Sequence, residues 1–150
     1  MNEGDLAPDF ELPDETGTPR KLSDFLSNGP VVLFFYPAAM TMGCTAECRH
    51  FRDLAAEFGD VGAQRVGISR DAIAKQRKFS DQNAFDFPLL SDEDGAVARA
   101  FGVHRSLGIA PTKRTTFVIG RDRRVLRIIR SELNMRVHAD RALEVLRAGE

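Results

Sequence analysis

The chain has 150 residues, with 21 basic against 22 acidic side chains, 43% apolar residues, no Trp and two Cys. That length fits one domain spanning residues 1–150, and a chain of this size buries roughly two-thirds of the surface its unfolded form exposes, so a substantial core is expected. A net charge of -1 with interleaved signs excludes the basic stripe that neutralises phosphates, so no nucleic-acid partner is expected. Two cysteines are too few for a disulfide scaffold, and the opening Met1-Asn2-Glu3-Gly4-Asp5 is acidic where a secretory signal is basic and then apolar. The longest apolar run, residues 31–40, contains Pro37 and falls short of the roughly 18 residues of a membrane span. A soluble, cytoplasmic protein with no membrane partner and with reduced thiols is expected.

In chain order, Asp9 to Pro13 followed by the turn-rich Asp14-Glu15-Thr16-Gly17 fits a short hairpin, and residues 22–25 fit a helical turn. Residues 31–36 form a continuous β-branched and aromatic run ended by Pro37, the pattern of a strand buried on both faces. From Thr41 the period changes: Cys44, Glu47, Cys48, Phe51, Leu54, Ala55 and Phe58 recur at three- and four-residue steps, which predicts one helix of about four turns stopped by Gly59. Residues 64–69 predict a second inner strand, residues 71–83 a helix started by Ser69 or Asp71, residues 87–90 a short strand, and residues 92–101 a helix closed by Gly102. Residues 115–119 and 125–129 flank the turn Gly120-Arg121-Asp122-Arg123 and make a hairpin, and an amphipathic helix over residues 139–147 ends the chain. Alternation first and a hairpin later predict an α/β sandwich with a mixed central sheet flanked by helices.

The chemistry concentrates between Tyr36 and Cys48, where a central strand hands over to a helix, the place where open α/β sheets carry their ligand crevices. Cys44 falls in the first helical turn, where free backbone N–H groups and the helix dipole favour a thiolate, the nucleophilic form of sulfur. Thr41, three residues earlier, either caps the helix or hydrogen-bonds the sulfur and its target. Cysteine is also among the most buried residue types, and Cys48 shares the apolar stripe with Phe51 and Ala55, so core packing is an equal account of it.

Together, Pro37-x-x-x-Thr41-x-x-Cys44 resembles the active-site signature of the peroxiredoxins. Tyr36-Pro37, Gly43-Cys44-Thr45, Glu47 and Phe51-Arg52-Asp53 are similar to the bacterioferritin-comigratory, or Q-type, subfamily. Gly4-Asp5-x-Ala7-Pro8-Asp9-Phe10, Leu89-Leu90-Ser91-Asp92 and residues 114–119 extend the likeness over nearly the whole chain. The resemblance implies a thioredoxin-like fold with an N-terminal hairpin extension, and reduction of hydroperoxides by Cys44 as the peroxidatic cysteine, without cofactor or metal. It also implies that Thr41 and Arg114 contact peroxide and thiolate, that Pro37 shields the pocket, that Glu47 supports the site, and that the protein is a monomer, at most a weak dimer. The chemistry agrees: displacing ROH from ROOH needs an anionic sulfur, donors that hold both oxygens, and a positive group for the developing charge.

Two departures matter. In two-cysteine members of this subfamily the resolving cysteine usually stands five residues after the first, and that position is Arg49 here; Cys48 is four on. Residues four apart in a helix are separated by a rise of about 6 Å, inside the Cα range of roughly 4.4–6.8 Å for a disulfide, yet their side chains run parallel, so pairing requires the first helical turns to unwind. Either Cys48 attacks a Cys44 sulfenic acid to give a disulfide that thioredoxin or a similar dithiol reduces, or Cys48 stays buried and an external thiol acts directly. Met40 and Met42 replace residues more often Asp or Thr and Pro, as surface or packing variation or as an apolar pocket mouth that favours organic hydroperoxides.

Other functions fit less well. A disulfide reductase needs Cys-x-x-Cys where this chain has Cys-x-x-x-Cys, His50, His104 and His138 are scattered rather than set at zinc-ligand spacing, and no nucleotide-binding glycine motif occurs. His50 is expected on the helix surface, and Arg121 to Arg130 on the solvated face of a hairpin. A non-enzymatic thiol sensor whose helix unwinds on oxidation remains the alternative to the enzyme.

Overall fold

The computed structural model describes residues 1–105 and 112–149. Near the N-terminus a small antiparallel hairpin pairs β1 (Glu11–Pro13) with β2 (Pro19–Lys21) and leads into α1 (Leu22–Leu26). The main sheet has the order β5-β4-β3-β6-β7, built from β3 (Val31–Phe35), β4 (Gln64–Ser69), β5 (Leu89–Ser91), β6 (Thr115–Ile119) and β7 (Val125–Arg130). β3, β4 and β5 run parallel, while β6 and β7 are antiparallel to their neighbours, so the sheet is mixed as expected.

Every residue of β3 is buried, which explains its uninterrupted apolar run. Val32, Phe34 and Tyr36 enter a cluster with Phe51, Phe58, Phe79 and Leu143, whereas Val31, Leu33 and Phe35 enter a second with Leu22, Phe101 and Phe117. Helices α2 (Met42–Asp53), α3 (Ala55–Asp60), α4 (Ile73–Asn83) and α6 (Val137–Arg147) supply the first cluster's other side, and α1 and α5 (Ala96–Ala100) the second's.

Besides α6, which begins at Val137 rather than Ala139, three helix boundaries differ from the sequence expectation. The single helix expected from Thr41 to Phe58 is two, because Leu54 (φ -98, ψ 22) steps out of helical backbone between them. The bend leaves Phe51 stacked on Phe34 with ring centroids 4.0 Å apart and brings Phe58 to 5.8 Å from Phe51, so both halves keep one apolar stripe on the sheet. Gly59 lies inside α3 rather than ending it. At α5, Asp92 is not the first helical residue; its carboxylate accepts the amides of Val97 and Ala98 at 3.1 and 2.9 Å and caps a helix that begins at Ala96.

The third difference bears on the site. Neither Ser69 nor Asp71 caps α4, since both side chains are engaged in a buried polar chain. Tyr36 Oη donates to Gln76 Oε1 at 2.6 Å, and Gln76 Nε2 donates to Ser69 Oγ at 2.9 Å and to the Leu90 carbonyl at 2.8 Å. Ser69 Oγ donates to Asp71 Oδ2 at 2.6 Å, and the same carboxylate oxygen accepts the Ala39 amide at 2.7 Å. The chain of bonds fixes the loop between β3 and α2, in which Met40 holds a left-handed backbone (φ 67) unfavourable for a side-chain-bearing residue. Removing the carboxylate orphans the Ala39 amide. Asp71→Ala is expected to lower stability by about 1–3 kcal/mol, read as a lower urea midpoint, and to speed hydrogen exchange at the Ala39 amide; unchanged protection there would show that the loop is held by other contacts.

Candidate active site

The polypeptide leaves β3 at Tyr36, passes the half-buried Pro37, and enters α2 at Met42. The Thr45 amide is the first to bond back into the helix, to the Thr41 carbonyl at 2.9 Å, so the Met42, Gly43 and Cys44 amides lack intrahelical acceptors. Cys44 therefore lies within the partial positive charge of the helix start, and its side chain is 1% exposed.

Arg114 reaches it from the position just before β6, the strand paired with β3. Antiparallel pairing places Thr115 opposite Phe35, so the residue just before β6 comes alongside the end of β3 although 70 residues separate it from Cys44. Arg114 Nη2 donates to Cys44 Sγ at 3.3 Å, and Nη1 donates to Glu47 Oε1 at 2.6 Å. Glu132, between β7 and α6, accepts the Arg114 backbone amide at 3.0 Å and pairs with Arg105 at 3.0 Å. Gly43 allows this approach, since a Cβ there would stand 3.3 Å from Arg114 Nη2 and 3.5 Å from Met135 Sδ.

Glu47 stands one turn beyond Cys44 on α2 and is fully buried. Its Oε2 has no hydrogen-bond partner among the described residues and lies 3.7 Å from His138 Nδ1. His138, at the start of α6, is itself fully buried: Nε2 is 2.8 Å from the Ser131 carbonyl and Nδ1 is 2.8 Å from Thr116 Oγ1. Burial raises Glu47 from its usual 4.5 to about 7, with Arg114 pulling it down and Glu132 pushing it up. Burial lowers His138, opposed by the Ser131 carbonyl and reinforced by Arg114. Arg114 loses to burial but gains more from Glu47 and Cys44, and its charge is held more firmly than usual.

Cys48 is fully buried in the aromatic cluster, and burial, then Glu47 and Cys44, push its thiol well above the ordinary range. It is an unreactive thiol as long as α2 is intact. Thr41 occupies the cap position but makes no side-chain cap bond; its exposed hydroxyl donates to the Ala38 carbonyl at 2.8 Å. That carbonyl is the local acceptor the turn leaves open. Met42 is 90% exposed and Met40 39%, so neither is core packing. His50, expected on the helix surface, is buried and bonds Asp140 Oδ1 at 2.7 Å, fastening α2 to α6. The hairpin arginines Arg127 and Arg130 are exposed as expected. The sequence offers Asp71 only as a helix start and gives Glu132 and His138 no place in the site; their site partners Ala39, Arg114 and Thr116 lie too far along the chain for a spacing rule.

Residues 4–128 match the AhpC/TSA family. The chain is a peroxiredoxin of that family. Its structure is similar to that of peroxidoxin BcpB from Mycobacterium tuberculosis, with a TM-score of 0.96 and 62% identity over 100% of this chain and 99% of that one. It is also similar to the bacterioferritin comigratory protein of Xanthomonas campestris, whose trapped intermediate and ligand complexes bear on alkyl peroxide reduction; there the TM-score is 0.85 and identity 32%, over 93% and 91% of the two chains. Peroxiredoxin Q of Arabidopsis thaliana chloroplasts is 37% identical over 148 residues, 99% of this chain and 68% of the relative. The thioredoxin-like fold and thiol-dependent peroxidase activity of a Q-type peroxiredoxin follow.

The elevated Glu47 carboxyl has a consequence for stability. The unfolded chain loses this proton near 4.5 and the folded chain near about 7, so between those values the folded state binds more protons and stability falls as pH rises. Glu47→Gln removes that slope. Relative to the native protein the variant is expected to gain up to about 3 kcal/mol across the window, at about 1.4 kcal/mol per pH unit, as measured by urea unfolding at successive pH values; a pH-independent difference would contradict a buried, protonatable Glu47.

Proposed function

We propose that Cys44 is the peroxidatic cysteine of a hydroperoxide reductase, and that Arg114 is the cation that serves it. The observation that carries this is one guanidinium placed between Cys44 Sγ and Glu47, at the buried start of α2. The Cys44 thiolate attacks the terminal oxygen of ROOH; the S–O bond forms as the O–O bond breaks, the sulfur is oxidised to a sulfenic acid, and RO⁻ takes up a proton to leave as ROH. Arg114 and the free amides of Met42, Gly43 and Cys44 stabilise the charge moving onto the leaving oxygen. Pro37 shields the pocket, and Thr41 contributes once its hydroxyl releases the Ala38 carbonyl.

The sulfenic acid is then attacked by Cys48, water leaves, and an intramolecular disulfide results, which thioredoxin or a similar dithiol reduces. Both cysteines being buried and four residues apart in one helix supports a step in which the first turns of α2 unwind before the sulfurs meet. In this account residues 1–150 act as one domain, as a monomer in the cytoplasm where dithiol reductants are maintained. Among the described residues no helix is long and apolar enough to cross a membrane.

Coupled NADPH consumption with thioredoxin, thioredoxin reductase and peroxide tests both halves. Cys44→Ser is expected to abolish turnover, and Cys48→Ser to stop at the sulfenic acid with little thioredoxin-dependent turnover. Intact mass after peroxide is expected to show loss of two hydrogens in the native chain; an added oxygen that persists there, or full turnover of Cys48→Ser with thioredoxin, would rule out Cys48 as the resolving residue.

A further inference from the structure

The start of α2 holds one permanent cation and two groups that compete for it. With Cys44 as a thiol, Arg114 neutralises Glu47; with Cys44 as a thiolate, two anions share one guanidinium in a region closed to water, and a surplus buried charge is strongly unfavourable. The groups that face Glu47 are Cys44 and Cys48 from its own helix, Arg114 from the start of β6, Glu132 from the connection after β7, and His138 from α6. Glu132 adds negative charge, and the remaining question is what His138 presents.

Its bonds answer that. A carbonyl only accepts, so the Ser131 contact places the imidazole proton on Nε2, and the Thr116 hydroxyl then donates to an unprotonated Nδ1. Glu47 Oε2, buried and without a hydrogen-bond partner, thus receives no donor from His138, whose Nδ1, 3.7 Å away, carries no proton and already accepts from Thr116. An ionised oxygen there is desolvated and has no donor to offset its charge, a penalty that protonation removes.

We propose that Glu47 takes up the proton that Cys44 gives up, so that the peroxide-ready site consists of a thiolate, a guanidinium and a neutral carboxylic acid protonated on Oε2. The elevation of Glu47 to about 7 by burial accords with this arrangement. Glu47 acts through Arg114 and is a positioning and charge-balancing residue. When attack consumes the thiolate charge, Glu47 ionises again beside Arg114. The proton count closes: thiolate, carboxylic acid and ROOH become sulfenic acid, carboxylate and ROH, with no proton taken from solvent. Disulfide formation with Cys48 releases only water and leaves the count unchanged. An ionised Glu47 throughout would instead require one proton from solvent for each peroxide reduced.

The inference rests on Cys44 as the attacking thiolate, and the experiment separates the two. Reduced protein at slightly acidic pH, in weak buffer with an indicator dye, is mixed with one equivalent of hydrogen peroxide while thiolate absorbance is followed. In the native protein the absorbance is expected to bleach with no net proton uptake; in Glu47→Gln it is expected to bleach with one proton taken up per peroxide. Bleaching with one proton taken up by the native protein overturns the role of Glu47 and leaves Cys44 standing. No thiolate to bleach overturns both. Should the Gln variant fail to fold, infrared difference spectra of the native protein decide the matter: a protonated-carboxyl band is expected to vanish on oxidation, and its absence from the reduced state overturns the proposal.

Discussion

A single guanidinium, Arg114, is bonded at once to the sulfur of Cys44 and the carboxylate of Glu47, and nearly every other feature of the site exists to make that double contact possible. A buried cation is unfavourable unless its charge and donors are matched, and here the matching groups sit one helical turn apart on α2. Glu132 fixes the Arg114 backbone, and Gly43 leaves room for the guanidinium to approach. In the proposed reaction this frame sets a cation and the helix-start amides around the Cys44 sulfur, so that an entering peroxide would meet donors already oriented.

The fold brings the partners together through strand register. Parallel β4 and antiparallel β6 flank β3, so the loop after β3 is reached from one side by Asp71 and from the other by Arg114. Two polar systems bracket α2: the chain from Tyr36 through Gln76 and Ser69 to Asp71 holds the loop before it, and His138 with Thr116 backs Glu47 within it. The aromatic cluster beneath, with Phe34 stacked on Phe51, fixes the middle of the helix. A helix secured at its middle and held at its start by a few polar bonds is suited to local unwinding, which a disulfide between Cys44 and Cys48 demands.

What could be read from the sequence follows the range of the interactions. Pro37, Thr41 and Cys44 lie within eight residues at a strand-to-helix junction, so spacing alone marks them. Arg114 and Glu47 carry no such local sign, and only the family resemblance singled them out. The bend at Leu54 escaped because both halves keep the same apolar stripe, which periodicity cannot distinguish from a straight helix. The cap bond expected of Thr41 and the surface place expected of His50 fail for one reason: a residue's type shows what it could bond, while the partner that wins is set by the local turn in one case and by α6, 90 residues away, in the other. His138 is the sharpest case, since its place behind Glu47 depends on two contacts closed only by the folded sheet.

The central claim is that Arg114 supplies the charge that makes Cys44 an effective nucleophile and stabilises the leaving oxygen. The most direct measurement is the second-order rate of the first oxidation of Cys44 by hydrogen peroxide, by stopped flow, in the native protein and in Arg114→Gln. A drop of about a hundredfold or more is expected, the size of effect seen when one preorganised donor is removed from a reacting centre. A rate within a factor of about two of the native value would contradict the account, because removing one such donor typically costs about a hundredfold or more.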